Sequence, residues 1–124
     1  LIDNETEQRL QEKVVEKLNH KDVYPSPCHG DLWGGNIVCG QGSQAYLIDP
    51  AFYFGDRESD LAMTECFGGF SPIFYKAYNE IFPLSEGYEE RKHIFNLYHM
   101  LNHYIIFGNT YKRVSEEIIK KIVS

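Results

Sequence analysis

The spacing of apolar positions changes along the chain and divides it into elements. From about Glu5 to Asn19, Leu10, Val14 and Leu18 recur at helical spacing with Val15 beside them, and Asn4-x-x-Glu7 ahead of them reads as a capping box, so a first helix is expected. His20 to Pro27 holds Asp22, Pro25 and Pro27, which stop the helix and extend the chain as a loop. Two short apolar runs follow, Ile37-Val38-Cys39 and Ala45-Tyr46-Leu47-Ile48. The Gly40-Gln41-Gly42-Ser43 turn between them makes this a hairpin.

Beyond Asp49 an aromatic and charged loop runs into a helix near Ser59 or Asp60, which Gly68-Gly69 breaks. Ser71 and Pro72 open another helix, which ends about Phe82 at Pro83. The longest runs from Gly87 or Tyr88 to Phe107, with Ile94, Leu97, Tyr98, Leu101 and Ile105 on one face and Gly108 as its stop. A last helix, about Tyr111 to Val123, is expected to bury Val114, Ile118 and Ile122 and to pair Glu116 with Lys120 and Glu117 with Lys121. The chain is therefore mainly α with a small β-hairpin, one domain over residues 1–124.

Composition narrows the partners. Twelve basic residues against 18 acidic give a net charge of −6 and no basic stripe, so neither nucleic acid nor an anionic membrane is an expected partner. No apolar run approaches a membrane span, and the start, Leu1-Ile2-Asp3-Asn4, lacks signal-peptide character. Cys28, Cys39 and Cys66 form no C-x-x-C pair and leave an odd thiol, which points to a reducing, cytoplasmic setting. A first residue of Leu rather than Met reads as the start of an excised fragment.

Candidate chemistry concentrates between Cys28 and Ala62. In His29-Gly30-Asp31-Leu32-Trp33-Gly34-Gly35-Asn36 the carboxylate and the amide stand five positions apart, the spacing of a kinase catalytic loop. An Asp there accepts a hydroxyl proton while the Asn ligates magnesium. The hairpin over 36–49 returns Asp49 beside Asn36, where a second magnesium-ligating carboxylate is needed. This is the metal-binding half of a phosphoryl-transfer site.

The catalytic-loop run, the stretch Leu47-Ile48-Asp49-Pro50-Ala51-Phe52-Tyr53-Phe54-Gly55-Asp56-Arg57-Glu58-Ser59-Asp60-Leu61-Ala62 and the helix segment Asn96-Leu97-Tyr98-His99-Met100-Leu101-Asn102-His103 resemble the fructosamine kinase (ketosamine 3-kinase) family. That family looks like the aminoglycoside phosphotransferases in fold. The resemblance implies the C-terminal, catalytic lobe of a protein-kinase-like fold and ATP-dependent phosphorylation of a sugar hydroxyl in ketosamines, free or on glycated protein. Phosphorylation in the family destabilises the adduct and frees the amine, a deglycation. By motif position Asp31 would be the base, Asn36 and Asp49 the Mg2+ ligands, and Asp60 a brace for the catalytic loop from its helix start.

The chain departs from a complete kinase. It has no G-x-G-x-x-G, and Lys13, Lys17, Lys21, Lys76 and Lys92 all lie in or beside helices rather than on a strand. The N-terminal nucleotide-binding lobe is therefore expected to be absent, leaving a lobe inactive alone, with bared interlobe surface that favours self-association. A kinase for another alcohol, such as an aminoglycoside or choline, and a non-catalytic interaction module are the alternative readings.

His29 is read as holding the loop by hydrogen bonds. Trp33, Phe52, Tyr53 and His103 are candidate substrate-pocket residues, while Asp56, Arg57 and Glu58 read as a solvated, mutually paired loop. His99 and His103 are four apart, but Met100, Leu101 and Asn102 between them lack the glutamate of a zinc-protease helix, so no metal is assigned there. His20 and His93 read as surface residues.

Overall fold

The computed structural model describes residues 1–19 and 23–124, so the expectations for His20, Lys21 and Asp22 lie outside the described residues. In chain order the elements are α1 (Asn4–Leu18), β1 (Ser26–Cys28), β2 (Ile37–Cys39), β3 (Ala45–Leu47), β4 (Tyr53–Gly55), α2 (Arg57–Thr64), α3 (Pro72–Ile81), α4 (Tyr88–Phe107) and α5 (Lys112–Val123), with 3-10 turns before β2, before β3 and before α5. The fold is mainly helical with small antiparallel sheets. They form two compact units, one from Leu1–Asp22 with Gly87–Ser124 and one from Val23–Glu86. Among the described residues no helix is long and apolar enough to cross a membrane.

The first unit is helical, with α1, α4 and α5 in mutual contact. The cap of α1 falls one residue earlier than the expected capping box: Asp3, not Asn4, accepts from the Thr6 amide at 2.8 Å. That hydrogen bond holds the Asp3 carboxyl below its usual range. Helix α4 starts and stops where expected, but its buried line differs. Ile94 and Leu97 are buried, whereas Tyr98 and Ile105 are exposed, Ile105 by 80%, and Arg91, His99 and Met100 are buried instead.

Helix α5 shows the same offset. Ser115 and Ile119 are its buried residues, Val114 is exposed, and Ile118 and Ile122 are half-buried. Glu117 takes Arg113, one turn earlier, as an ion-pair partner at 3.0 Å. Lys17 of α1 meets Glu90 of α4 at 2.5 Å, and Arg9 donates to the Val123 carbonyl at 2.7 Å, so polar contacts tie α1 to both other helices.

The second unit carries the candidate site. The expected hairpin is present as β2 paired antiparallel with β3, Ile37 opposite Leu47 and Cys39 opposite Ala45. A second sheet, β1 paired antiparallel with β4, replaces what the sequence read as loop on both sides: Ser26 faces Gly55 and Cys28 faces Tyr53. Pro27 has no N–H for a ladder, but in a two-stranded sheet each strand is an edge and tolerates it.

Helix α2 begins at Arg57, earlier than the expected Ser59 or Asp60, because Asp56 caps it by accepting from the Glu58 amide at 2.9 Å. Asp56, Arg57 and Glu58 are thus not a solvated loop. Glu58 is fully buried, and the Arg57 guanidinium donates to the Phe82 and Pro83 carbonyls at 2.9 and 2.7 Å with its carbon 3.8 Å from the Phe82 ring centroid. Arg57 thereby satisfies backbone acceptors just past the C-terminal end of α3, where a cation is also favoured by the helix dipole.

Candidate active site

The candidate catalytic loop leaves β1 at the buried Cys28 and turns sharply at Gly30, whose φ is +89°. A Cβ at Gly30 would lie 2.0 Å from the Ala51 carbonyl oxygen, so only glycine lets the loop lie against the segment after Asp49. The Ala51 amide donates to the His29 carbonyl at 2.8 Å and closes that contact.

Asp60 faces the loop from the fourth position of α2. Its two carboxylate oxygens accept from the His29 amide at 2.7 Å and the Gly30 amide at 3.0 Å. Two adjacent backbone donors held by one carboxylate fix the direction in which the loop leaves β1. His29 links the loop onward. Its Nδ1 accepts from the Asp31 amide at 3.1 Å, and its Nε2 lies 2.8 Å from the Ile48 carbonyl. An amide can donate only to a bare ring nitrogen, so the pattern requires a neutral imidazole with its proton on Nε2, donated to Ile48.

Asn36 closes a 3-10 turn over Gly34–Asn36 and is only 6% exposed. Its side-chain nitrogen donates to the Asp31 backbone carbonyl at 2.8 Å and to the Asp31 carboxylate at 3.1 Å. Both amide hydrogens are therefore committed to Asp31, which leaves the Asn36 Oδ1 as an oxygen donor. Strand β2 starts at the next residue, Ile37, and backbone pairing extends to Asn36: its carbonyl accepts from the Ile48 amide at 2.9 Å. Asp49 follows directly.

Asp49 is exposed, its carboxylate has no hydrogen bond or ion pair with a described residue, and its φ is +50°. Left-handed backbone is uncommon for a non-glycine residue and least costly for Asp or Asn, and the α conformations are disfavoured ahead of a proline such as Pro50. Such strain is held in place by surrounding structure and collects at functional sites. Among the described residues no cluster of three or more His, Cys, Asp and Glu side chains is preformed for a metal. An amide oxygen and a free carboxylate are instead the kind of partial, all-oxygen set that magnesium takes when waters and phosphate oxygens complete its shell.

The candidate pocket residues are placed differently. Trp33 lies over Gly35, where an added Cβ would come 2.3 Å from the indole, and meets Phe67 edge to face at a centroid distance of 5.7 Å. Phe52 is exposed and packs edge to face on Phe54 at 5.2 Å. The Tyr53 hydroxyl is engaged with Ser59 Oγ at 3.0 Å, pinning β4 to α2. His103 belongs to the helical unit, where its Nδ1 lies 2.7 Å from the His99 carbonyl and its ring sits 5.1 Å from that of Tyr111.

Comparison with known proteins assigns the chain to a class. The sequence model of the fructosamine kinase family matches residues 2–124, and the chain belongs to that family. It is 52% identical over 113 residues to a protein of Vibrio parahaemolyticus named a probable ketoamine kinase, covering 90% of this chain and 38% of that one. It is 39% identical over 113 residues to the ketosamine-3-kinase of Mus musculus, covering 91% of this chain and 36% of the mouse protein. The crystal structure of a protein of Haemophilus somnus named a putative fructosamine-3-kinase superposes with a TM-score of 0.81 at 36% identity, over 94% of this chain and 40% of that one. The chain spans about two fifths of the length of the curated relatives it matches.

Proposed function

We propose that this chain supplies the base and the magnesium ligands of an ATP-dependent ketosamine kinase, which phosphorylates a sugar hydroxyl of fructosamine- or ribulosamine-type adducts. The supporting observation is how Asn36 is committed. Both its amide hydrogens go to Asp31, so its oxygen and the strained, unpaired Asp49 carboxylate are the donors left on the same strand-connected segment. Nucleotide gripping is assigned to the part of the protein that lies outside this chain, as the relatives' greater length allows. The 124 residues alone are expected to transfer no phosphate.

Asn36 and Asp49 would hold Mg2+, and MgATP when bound supplies the phosphoryl group and neutralises its charge. Asp31 orients the acceptor hydroxyl and takes its proton as that oxygen becomes the nucleophile. One of its oxygens is tied to Asn36, so the carboxylate cannot swing away. His29 and Asp60 keep Asp31 aimed by fixing the backbone on either side of Gly30. Little covalent chemistry is asked of the protein, because phosphoryl transfer depends on positioning and charge.

An acceptor screen tests this reading. The chain, extended to the full length of its relatives, would be given MgATP with fructose-lysine, ribulose-lysine, an aminoglycoside or choline while ADP release is followed. Turnover confined to the ketosamines is the expected result. Turnover with the aminoglycoside or choline and none with a ketosamine would replace the acceptor class.

A further inference from the structure

Helix α3 has no buried residue, yet it is fastened to α2 at both ends. Arg57 holds its C-terminal end, and Tyr75 holds its first turns. The Tyr75 hydroxyl lies 2.9 Å from Thr64 Oγ1 and 3.1 Å from the Phe70 amide nitrogen, and Thr64 Oγ1 lies 2.6 Å from the Leu61 carbonyl. Proton counting orients the chain. The Thr64 hydroxyl has one hydrogen, given to Leu61, so the Tyr75 O–H donates to Thr64 and the Phe70 N–H donates to Tyr75. Thr64 is 1% exposed, which keeps water from replacing these partners.

The segment pinned in this way is the connection from α2 to α3. Gly68 and Gly69 turn it with φ of +90° and +72°, and Phe67 stands immediately before them with its ring edge to face on Trp33. Trp33 is thus held between Gly35 and a phenylalanine whose place depends on the turn that Tyr75 fastens. We infer that Tyr75 is a positioning residue of the acceptor site: its hydroxyl fixes the Gly68–Gly69 turn, and through Phe67 it sets the indole of Trp33 where the acceptor sugar is received. The acceptor part of this inference rests on the proposed kinase function; the pinning of Trp33 does not.

Trp33 is the single tryptophan of the chain, so its fluorescence reports its own surroundings. Acrylamide quenching would be compared for the parent, Tyr75→Phe, Thr64→Val, Thr64→Ser and Phe67→Ala, with circular dichroism to confirm the fold. Loss of one such hydrogen bond shifts a local equilibrium about fivefold to tenfold. Tyr75→Phe and Thr64→Val are therefore expected to raise quenching towards the Phe67→Ala level, while Thr64→Ser stays with the parent. In the full-length kinase the same two variants are expected to raise the acceptor KM about fivefold to tenfold, with kcat and the KM for ATP little changed.

Folded Tyr75→Phe and Thr64→Val proteins with parental quenching would overturn the pin, as would a Phe67→Ala variant that leaves Trp33 unmoved. Altered quenching with an unchanged acceptor KM would remove Tyr75 from the acceptor site. Failure of the kinase reading itself would look different, as a parent protein that phosphorylates no ketosamine.

Discussion

Asp60→Ala removes a carboxylate that accepts from two successive amides of the candidate catalytic loop. The bonds are 2.7 Å from the His29 nitrogen and 3.0 Å from the Gly30 nitrogen, and both are to a charged acceptor. Hydrogen bonds to charged groups contribute about 1.5–3 kcal/mol each, and donors left without a partner keep their desolvation penalty. Asp60, His29 and Gly30 are half-buried, so water recovers part of this. A loss of about 2–4 kcal/mol is expected, or roughly 10 °C in Tm for a chain of this length. Asp60→Asn keeps one acceptor oxygen but turns an NH2 group towards the second amide, so about half the loss is expected.

Urea unfolding of the 124-residue chain, followed by Trp33 fluorescence and circular dichroism with m compared between variants, measures the global effect. Hydrogen exchange of the His29 and Gly30 amides measures the local one, and a rate increase of about 30-fold corresponds to about 2 kcal/mol. An Asp60→Ala chain within about 0.5 kcal/mol of the parent, the range of an ordinary surface change, with those two amides still protected, would refute the bracing of the loop by Asp60.

Gly30→Ala would force a Cβ against the Ala51 carbonyl at a left-handed φ, and a destabilisation of about 3 kcal/mol is expected by chemical denaturation; a parental midpoint would show that the loop has another way to lie. Burial, with Glu65 adding to it, pushes the Cys66 thiol up to about 12, and burial with nearby Asp60 raises that of Cys28, whereas Cys39 is exposed. A thiol reagent at pH 8 is expected to label Cys39 quickly and the other two slowly, and two fast thiols would contradict the burial described. The Lys17 hydrogen bond lowers Glu90 below its ordinary 4.5, and Glu90 raises Lys17 above its ordinary 10.5. The contribution of Glu90 is therefore present above pH 4.5 and lost as pH falls through its lowered value, while that of Lys17 is present below pH 10.5 and lost as pH rises through its raised one. Lys17→Gln is expected to flatten both limbs of the stability–pH curve, and a curve parallel to the parent's would show the pair to be inert.

The local geometry of the candidate site that depends on spacing was legible in the sequence. Asp31 and Asn36 are linked by a turn too short to leave much freedom, and a glycine-rich turn between two apolar triplets sets the register that brings Asp49 after Asn36. The β1–β4 pairing was not legible, because each strand has three residues, one holds a proline, and the partners lie more than twenty residues apart. Polarity misled at Arg57 and Glu58, where a charged run turned out to fasten α3 and to be buried.

The faces of α4 and α5 were misplaced for a related reason. Arg91, His99 and Ser115 are buried although polar, and Ile105 is exposed although apolar, so a stripe of apolar residues did not mark the inner side. The Tyr75 chain was hidden because a hydroxyl pinning a glycine turn leaves no periodic trace in sequence. Its one signal is the pair Gly68-Gly69 standing just before an aromatic-rich helix.

The central claim is that Asp31 acts as the base of a ketosamine kinase. Phosphorus NMR of the chain extended to the full length of its relatives, mixed with MgATP and fructose-lysine or ribulose-lysine, tests it most directly, with Asp31→Asn as the control. A new sugar phosphomonoester resonance that is absent with Asp31→Asn is the expected result. No such resonance from a folded protein that binds ATP, or an equal one from the Asp31→Asn protein, would contradict it.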